Sequence, residues 1–237
     1  MAGTSAHTVK AFDEDLNQLR ATICEMGGLA EQAIAESIRA LVQRDLDAAS
    51  RVVETDKRID ALEAEVEKNA VQLIALRAPM ADDLRDVIAA LKIASVVERI
   101  GDYAKNNAKR VHIIEENHHQ LEPLALLPEM ARIAGEMVHN ALDAFVARDA
   151  EKAMAVCERD QAVDNFYNSI FRTSLTFMME NPQNITPATH LLFIAKNLER
   201  IGDHATNLAE MVYFAATGEH VTDRPRGADS TALGYSG

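Results

Sequence analysis

Carboxylates in a repeated pattern carry most of the chemistry open to this chain. Asp56 and Asp60 stand one helical turn apart, and so do Glu98 and Asp102. The same pairs return as Asp160 with Asp164 and Glu199 with Asp203. The second pair of each copy lies in one pentapeptide: Glu98-Arg99-Ile100-Gly101-Asp102, then Glu199-Arg200-Ile201-Gly202-Asp203. Both copies continue with Ala, Asn and Ala at matching positions (Ala104, Asn106, Ala108; Ala205, Asn207, Ala209). An internal duplication follows from this recurrence. The Asp pairs repeat at an offset of 104, as does Arg44-Asp45, returning as Arg148-Asp149. The pentapeptide repeats at 101, so the first copy carries three more residues between its two pairs.

Four carboxylates about 5 Å apart repel by roughly 3 kcal/mol per pair at an effective dielectric near 20. Such a group must protonate, pair with arginine, or hold a multivalent cation. Arg99 and Arg200 follow the glutamates, but one residue is about 100° around a helix, so they point aside. A hard cation with oxygen ligands fits best: iron, Mn²⁺, Mg²⁺ or Ca²⁺. The local scarcity of His and Cys argues against zinc. Four acids in each copy allow more than one ion. A lone acid pair at i, i+4 reads as a solvated helix face; the recurrence in both copies weighs against that reading. His204 has Tyr103 at its counterpart position and reads as a surface residue rather than a ligand. Gly101 and Gly202 each cost about 1 kcal/mol in mid-helix relative to Ala. They leave room either for a site or for close helix packing.

The elements that must position these acids are helices. The chain has 237 residues, 48% of them hydrophobic, with no Trp and only 10 Gly and 6 Pro, which suits long helices over sheet. The first helix is predicted over about Val9–Gln43, with Leu16, Leu19, Ile23, Met26, Ala30, Ala33, Ile38 and Leu41 on its apolar stripe. Asp45 or Asp47 caps the second, which runs to about Arg77 with a stripe of Ala49, Val52/Val53, Ile59, Leu62, Val66, Ala70, Leu73 and Leu76. Ala78-Pro79 is the turn. The third helix opens at Ala81-Asp82-Asp83, carries Leu84, Val87/Ile88, Leu91 and Ala94/Ser95 toward Glu98 and Asp102, and ends near Asn117. His118–Pro128 links the copies. The second copy has helices to about Ala147, from Asp149 to Glu180, and from a cap at Thr186 to Gly218, with a turn at Asn181-Pro182.

Folding each hairpin at its turn brings the acids level. Asp60 with Glu98 and Asp56 with Asp102 are both centred on Pro79. Asp164 with Glu199 and Asp160 with Asp203 are both centred on the Asn181–Pro182 bond. Two turns with arms of different length thus give the same quartet, about 28 and 26 Å from the respective turns. The predicted fold is all-α: two tandem antiparallel three-helix bundles, residues 9–117 and 125–218, with disordered tails at 1–8 and 219–237.

The net charge of −13 argues against nucleic acid. Two cysteines, Cys24 and Cys157, fall at unrelated repeat positions and read as reduced, buried, cytosolic residues. No apolar run is long enough to span a membrane, and residues 1–9 lack the pattern of a signal peptide.

With the duplicated pentapeptide and the upstream Asp pairs in hand, the chain resembles the PhoU family of bacterial phosphate-signalling regulators. The likeness runs from about Phe12 to Gly218. It includes Met26-Gly27-Gly28-Leu29, the turn Arg77-Ala78-Pro79 with Asp83-Leu84-Arg85, and Phe177-Met178-Met179-Glu180. The link and the C-terminal tail match nothing. The resemblance implies a cytoplasmic homodimer of tandem three-helix bundles that meets the membrane only through partners. Those partners are the phosphate-specific ABC transporter, through its ATPase subunit, and the phosphate sensor histidine kinase; phosphate uptake and regulon expression are restrained. It also implies metal, in some members as multinuclear iron clusters, at Asp56, Asp60, Glu98, Asp102, Asp160, Asp164, Glu199 and Asp203, where this chain keeps the family pattern.

Two other readings compete with this non-enzymatic regulator. A di-metal carboxylate enzyme of the ferritin-like kind uses Glu-x-x-His, but Gly101 and Gly202 stand three residues after the glutamates. A metal-free helical adaptor needs no ion at all.

Overall fold

The computed structural model describes residues 3–115 and 122–221. Six helices follow in order: α1 (Gly3–Gln43), α2 (Leu46–Arg77), α3 (Asp82–Glu115), α4 (Leu127–Ala147), α5 (Ala150–Glu180) and α6 (Ile185–Thr217). Among the described residues there is no strand. Short 3₁₀ turns at Glu122–Leu126 and Pro182–Asn184 precede α4 and α6.

Each copy folds as an antiparallel three-helix bundle, because each helix carries an apolar stripe that only its neighbours can cover. The eight stripe residues of α1 are all buried. The bundles then fuse side by side, α1 along α4 and α3 along α6, while α2 and α5 pack principally within their own repeats. One continuous core results, with Ile23 and Met26 of α1, Ile93 and Ile100 of α3, Met137 of α4 and Leu198 of α6 in the same cluster. Each such side chain contributes about 1.5–3 kcal/mol on burial. At Gly27, on α1, an added Cβ would meet Leu142 of α4 at 2.1 Å, so glycine sets the approach of the two repeats.

The repeat also duplicates its corners. Arg44 and Arg148 both take left-handed φ values, 56° and 54°, just past α1 and α4. The amides of Asp45 and Asp149 reach back to Ala40 and Ala144 carbonyls at 2.9 and 3.0 Å. Those aspartates then cap α2 and α5, accepting from Ala48 and Lys152 amides at 2.8 and 2.9 Å. Arg148 spends its guanidinium on Asp86, 2.8 Å away, which also binds Arg20 of α1 at 3.1 Å. The buried Asp86 thus ties both repeats together.

Several expectations need correction. The helix begins at Gly3, not Val9, so residues 3–8 belong to α1 rather than to a disordered tail; small residues and no proline let the helical register run back. Helix α6 begins at Ile185, and Thr186 is not its cap. The buried Asn184 donates to the Phe177 carbonyl at 2.9 Å and pins the preceding turn, so Pro187 falls inside the first turn, where no amide is required. Leu76 is exposed, because the stripe steps from Leu73 to Arg77, which binds Asp15. Leu84 and Ile88 are also exposed; α3 packs on three helices and buries Val87, Ala90, Ile93, Ala94 and Val97 instead. Cys24 and Cys157 are free thiols but only half-buried. Residues 219–221 are described, with His220 stacked on Phe214 at 4.3 Å; the rest of that tail, and residues 116–121 of the expected link, lie outside the described residues.

Candidate metal centres

The first quartet forms where α2 meets α3. Asp56 is buried between Val52 and Ile59, in a stripe position. Its Oδ2 accepts from Lys105 Nζ at 2.6 Å, and the same ammonium also binds Asp102 Oδ1. Asp56 Oδ1 is enclosed without a hydrogen-bond partner. Directly opposite stands Gly101: a Cβ there would lie 2.8 Å from Ile59 Cδ1 and 3.7 Å from Asp56 Oδ1. Glycine therefore serves close helix packing and the carboxylate at once.

Glu98 completes the inner set, and Asp60 sits exposed at the rim. Burial, followed by the charges of Asp102, Glu63, Asp60 and Asp56, pushes the Glu98 carboxyl up to about 7. Burial also raises Asp56, against the pull of Lys105. Glu63 is a fifth acid that the spacing argument missed. It lies one turn beyond Asp60, and burial raises its carboxyl despite a hydrogen bond with Ser95. Its signal was the continuation of the stripe by one step.

The second quartet forms where α5 meets α6. Gly202 faces Asp160, whose Oδ1 would be 3.2 Å from an added Cβ. Lys196 donates to Glu199 Oε1 at 2.7 Å, and Glu199 Oε2 is enclosed without a partner. Burial raises the Glu199 carboxyl; Lys196 opposes this, while Asp203 and Asp164 add to it. The residue equivalent to Lys105 is Thr206, buried and donating to the Gly202 carbonyl at 3.1 Å. No ammonium enters the second quartet from that position.

In both repeats the observed facing pairs lie one residue from the register centred on the turn: Asp56 opposes Gly101 rather than Asp102, and Asp160 opposes Gly202 rather than Asp203. Among the described residues, however, no three His, Cys, Asp or Glu side chains converge on one point suited to a metal ion. The donors fit a hard cation in kind, being all carboxylate, and the orphaned oxygens of Asp56 and Glu199 are groups a cation would satisfy. In the first quartet Lys105 stands in for that cation.

His204 is not the surface residue expected. It is half-buried, stacked on Tyr103 at 5.5 Å, with Nδ1 enclosed and unpartnered. Burial lowers its pKa, Arg99 and Arg200 lower it further, and Asp203 opposes them. The two are repeat-related positions meeting across the α3–α6 seam, so the Tyr103 counterpart was the available signal. Arg200 lies over the Tyr103 ring at 5.7 Å.

Fold and quartets define a class: a helical scaffold made by tandem duplication, with an acidic cluster between two helices of each copy. Known proteins give the class its name. The family model described as "PhoU domain" matches residues 23–111 and 127–212. A relative from Zymomonas mobilis, the "Phosphate-specific transport system accessory protein PhoU homolog", is 57% identical over 98% of this chain and 97% of its own length. The protein of that name from Rhizobium meliloti is 46% identical over 97% of each. The crystal structure of PhoU from Pseudomonas aeruginosa superposes with a TM-score of 0.84 at 34% identity, covering 88% of this chain and all of that one. The phosphate transport system regulatory protein PhoU from Streptococcus pneumoniae gives 0.81 at 28% identity, over 89% of this chain and 99% of that one. The chain belongs to the PhoU family.

Proposed function

We propose that this protein is a non-enzymatic, cytoplasmic regulator of phosphate uptake and of the phosphate regulon. It acts as a homodimer on the ATPase subunit of the phosphate-specific ABC transporter and on the phosphate sensor histidine kinase. The observation that carries this reading is the family match across both repeats, with relatives named as accessory proteins of the phosphate-specific transport system. No helix among the described residues is long and apolar enough to cross a membrane, so contact with the transporter would be made from its surface. Deleting the gene should leave the regulon on in phosphate-rich medium. Normal repression in the deletion strain overturns the regulatory reading.

Metal is the second part of the proposal. Asp56, Asp60, Glu98 and Asp102 would hold one site, and Asp160, Asp164, Glu199 and Asp203 the other, with Fe, Mn, Mg or Ca as the ion. When bound, such an ion supplies positive charge that offsets the mutual repulsion of the acids and bridges two helices. Elemental analysis of protein purified without chelator should find at least one ion per repeat.

One observation favours a second reading, the metal-free adaptor. Lys105 already bridges Asp56 and Asp102, and such an internal cation is what an ion-free quartet would need. Sub-stoichiometric metal under saturating conditions would select that reading. The di-metal enzyme reading has no comparable support, since glycine holds the place of its histidine in both repeats.

A further inference from the structure

Helices α3 and α6 run antiparallel between the repeats and leave a cleft of about 350 Å³. None of the eight quartet acids lines it. Its lining carries two fixed cations, Lys92 and Arg99, against one carboxylate, Glu210, a local charge of +1 on a chain of −13. Met211 and Phe214 form an apolar wall opposite, extended by the His220 ring stacked on Phe214. His204 borders the cationic end, and its enclosed Nδ1 has no partner.

The duplication supplies a control within the molecule. The repeat-related cleft at the other end of the seam has Phe193 where this one has Lys92, and Arg110 where this one has Met211. There Arg110 lies 4.4 Å over the Phe193 ring and 3.0 Å from His190 Nδ1. There the chain packs its own guanidinium against its own ring. In the α3–α6 cleft Lys92 and Met211 hold those two places; Phe214 is covered by His220, stacked at 4.3 Å, and by Arg85, 5.9 Å over its ring, and the pair of cations faces this apolar and aromatic wall.

We infer that the α3–α6 cleft binds a nucleoside diphosphate, its phosphates on Lys92 and Arg99 and its base against Met211 and the Phe214–His220 stack. Lys92 and Arg99 are two helical turns apart, about 10 Å along α3. Two long cationic arms at that spacing suit a diphosphate chain better than a single phosphate. The wall of Met211, Phe214 and the His220 ring stacked on it supplies apolar contact that inorganic phosphate would not use.

The test is titration of the full chain by amide NMR in EDTA, which removes metal bridging to the quartets. The probes are ADP, inorganic phosphate and adenosine. ADP should give saturable shifts at Lys92, Arg99 and Met211, with inorganic phosphate weaker and adenosine weaker still. Lys92→Ala and Arg99→Ala should each weaken ADP by about tenfold or more; both side chains are exposed, so the fold is retained. Met211→Arg copies the filler of the twin cleft and should abolish binding. No saturable shift with ADP at those amides overturns the inference, as does binding unchanged by Arg99→Ala. Inorganic phosphate binding as tightly as ADP at the same residues also overturns the nucleotide assignment.

Discussion

The two quartets share four acids, a glycine and a helix register, yet they are neutralised differently. In the first, Lys105 reaches in from α3 and bonds Asp56 and Asp102 together. In the second, that position is Thr206, turned back onto its own helix, and Lys196 clamps Glu199 from the rim. Further exchanges follow the same lines: Glu63 and Ser95 in the first site stand where the second has Tyr167 and Lys196, the ammonium lying 5.1 Å from the Tyr167 ring. Duplication preserved the donors and let the counterions diverge. A cation entering the first quartet must displace an internal ammonium that one entering the second does not meet at that position. On the metal-binding proposal, the second repeat should therefore be the tighter site, which metal titrations of the two repeats would check.

The comparison breaks most directly at Lys105. Lys105→Met leaves the buried Asp56 without its counterion and should cost about 3 kcal/mol in EDTA, read from urea unfolding. Adding Mn²⁺ should recover most of that loss in the variant and improve first-site affinity over wild type. Full stability of the variant in EDTA would mean that the bridge is dispensable. A loss that no cation repairs would remove the first quartet as a metal site.

The glycines give the next largest difference. Gly101→Ala drives a methyl to within 2.8 Å of Ile59 and should cost about 2 kcal/mol. Gly202→Ala meets Asp160 Oδ1 at 3.2 Å and Val163 Cγ1 at 3.4 Å, looser contacts than the 2.8 Å at Gly101, so its cost should be the smaller, within about 1 kcal/mol, while Asp160 is displaced. Thermal unfolding of both, with metal titrations of the second, checks the contrast; equal losses would erase it.

Glu98→Gln separates protonation from metal. Its carboxyl, at about 7 in the fold, lies above its ordinary value of 4.5. The stability tied to the protonated form is complete below that ordinary value and is lost as pH rises to about 7. Glutamine escapes the loss, so in EDTA the variant should equal wild type at pH 4 and exceed it by about 1 kcal/mol at pH 8, after solvent screening. With metal bound the sign reverses, because a ligand is gone. Asp102→Asn is the weaker probe, since Asp102 also loses its bond to Lys105.

The smallest effect belongs to Lys196→Ala. Its side chain is 41% exposed, so the pair with Glu199 is worth about 0.5 kcal/mol. The sharper readout is the Glu199 carboxyl, already raised by burial, which should rise further once Lys196 no longer opposes it.

What the sequence determined by itself was whatever depends on period and spacing. The apolar stripe of α1, a cap at Asp45 or Asp47, the turn at Ala78-Pro79 and, to within one residue, the level placement of Asp56 with Asp102 follow from 3.6 residues per turn and chain arithmetic. These are local or hairpin properties, and the duplication let each be read twice. Only the tertiary structure decided which long side chains reach into the quartets. Lys105 looked like an ordinary charged helix residue, one turn past Asp102, because its sequence position says nothing about whether four flexible bonds carry the ammonium inward or out to water. The burial of Asp56 in its first quartet made that choice, since a carboxylate taken out of water draws whatever cation lies within reach. The fusion of the two bundles was equally hidden: α3 shows an apolar surface, but which helices cover it, and so why His204 meets Tyr103 across the seam, depends on contacts between residues about 100 apart in the chain.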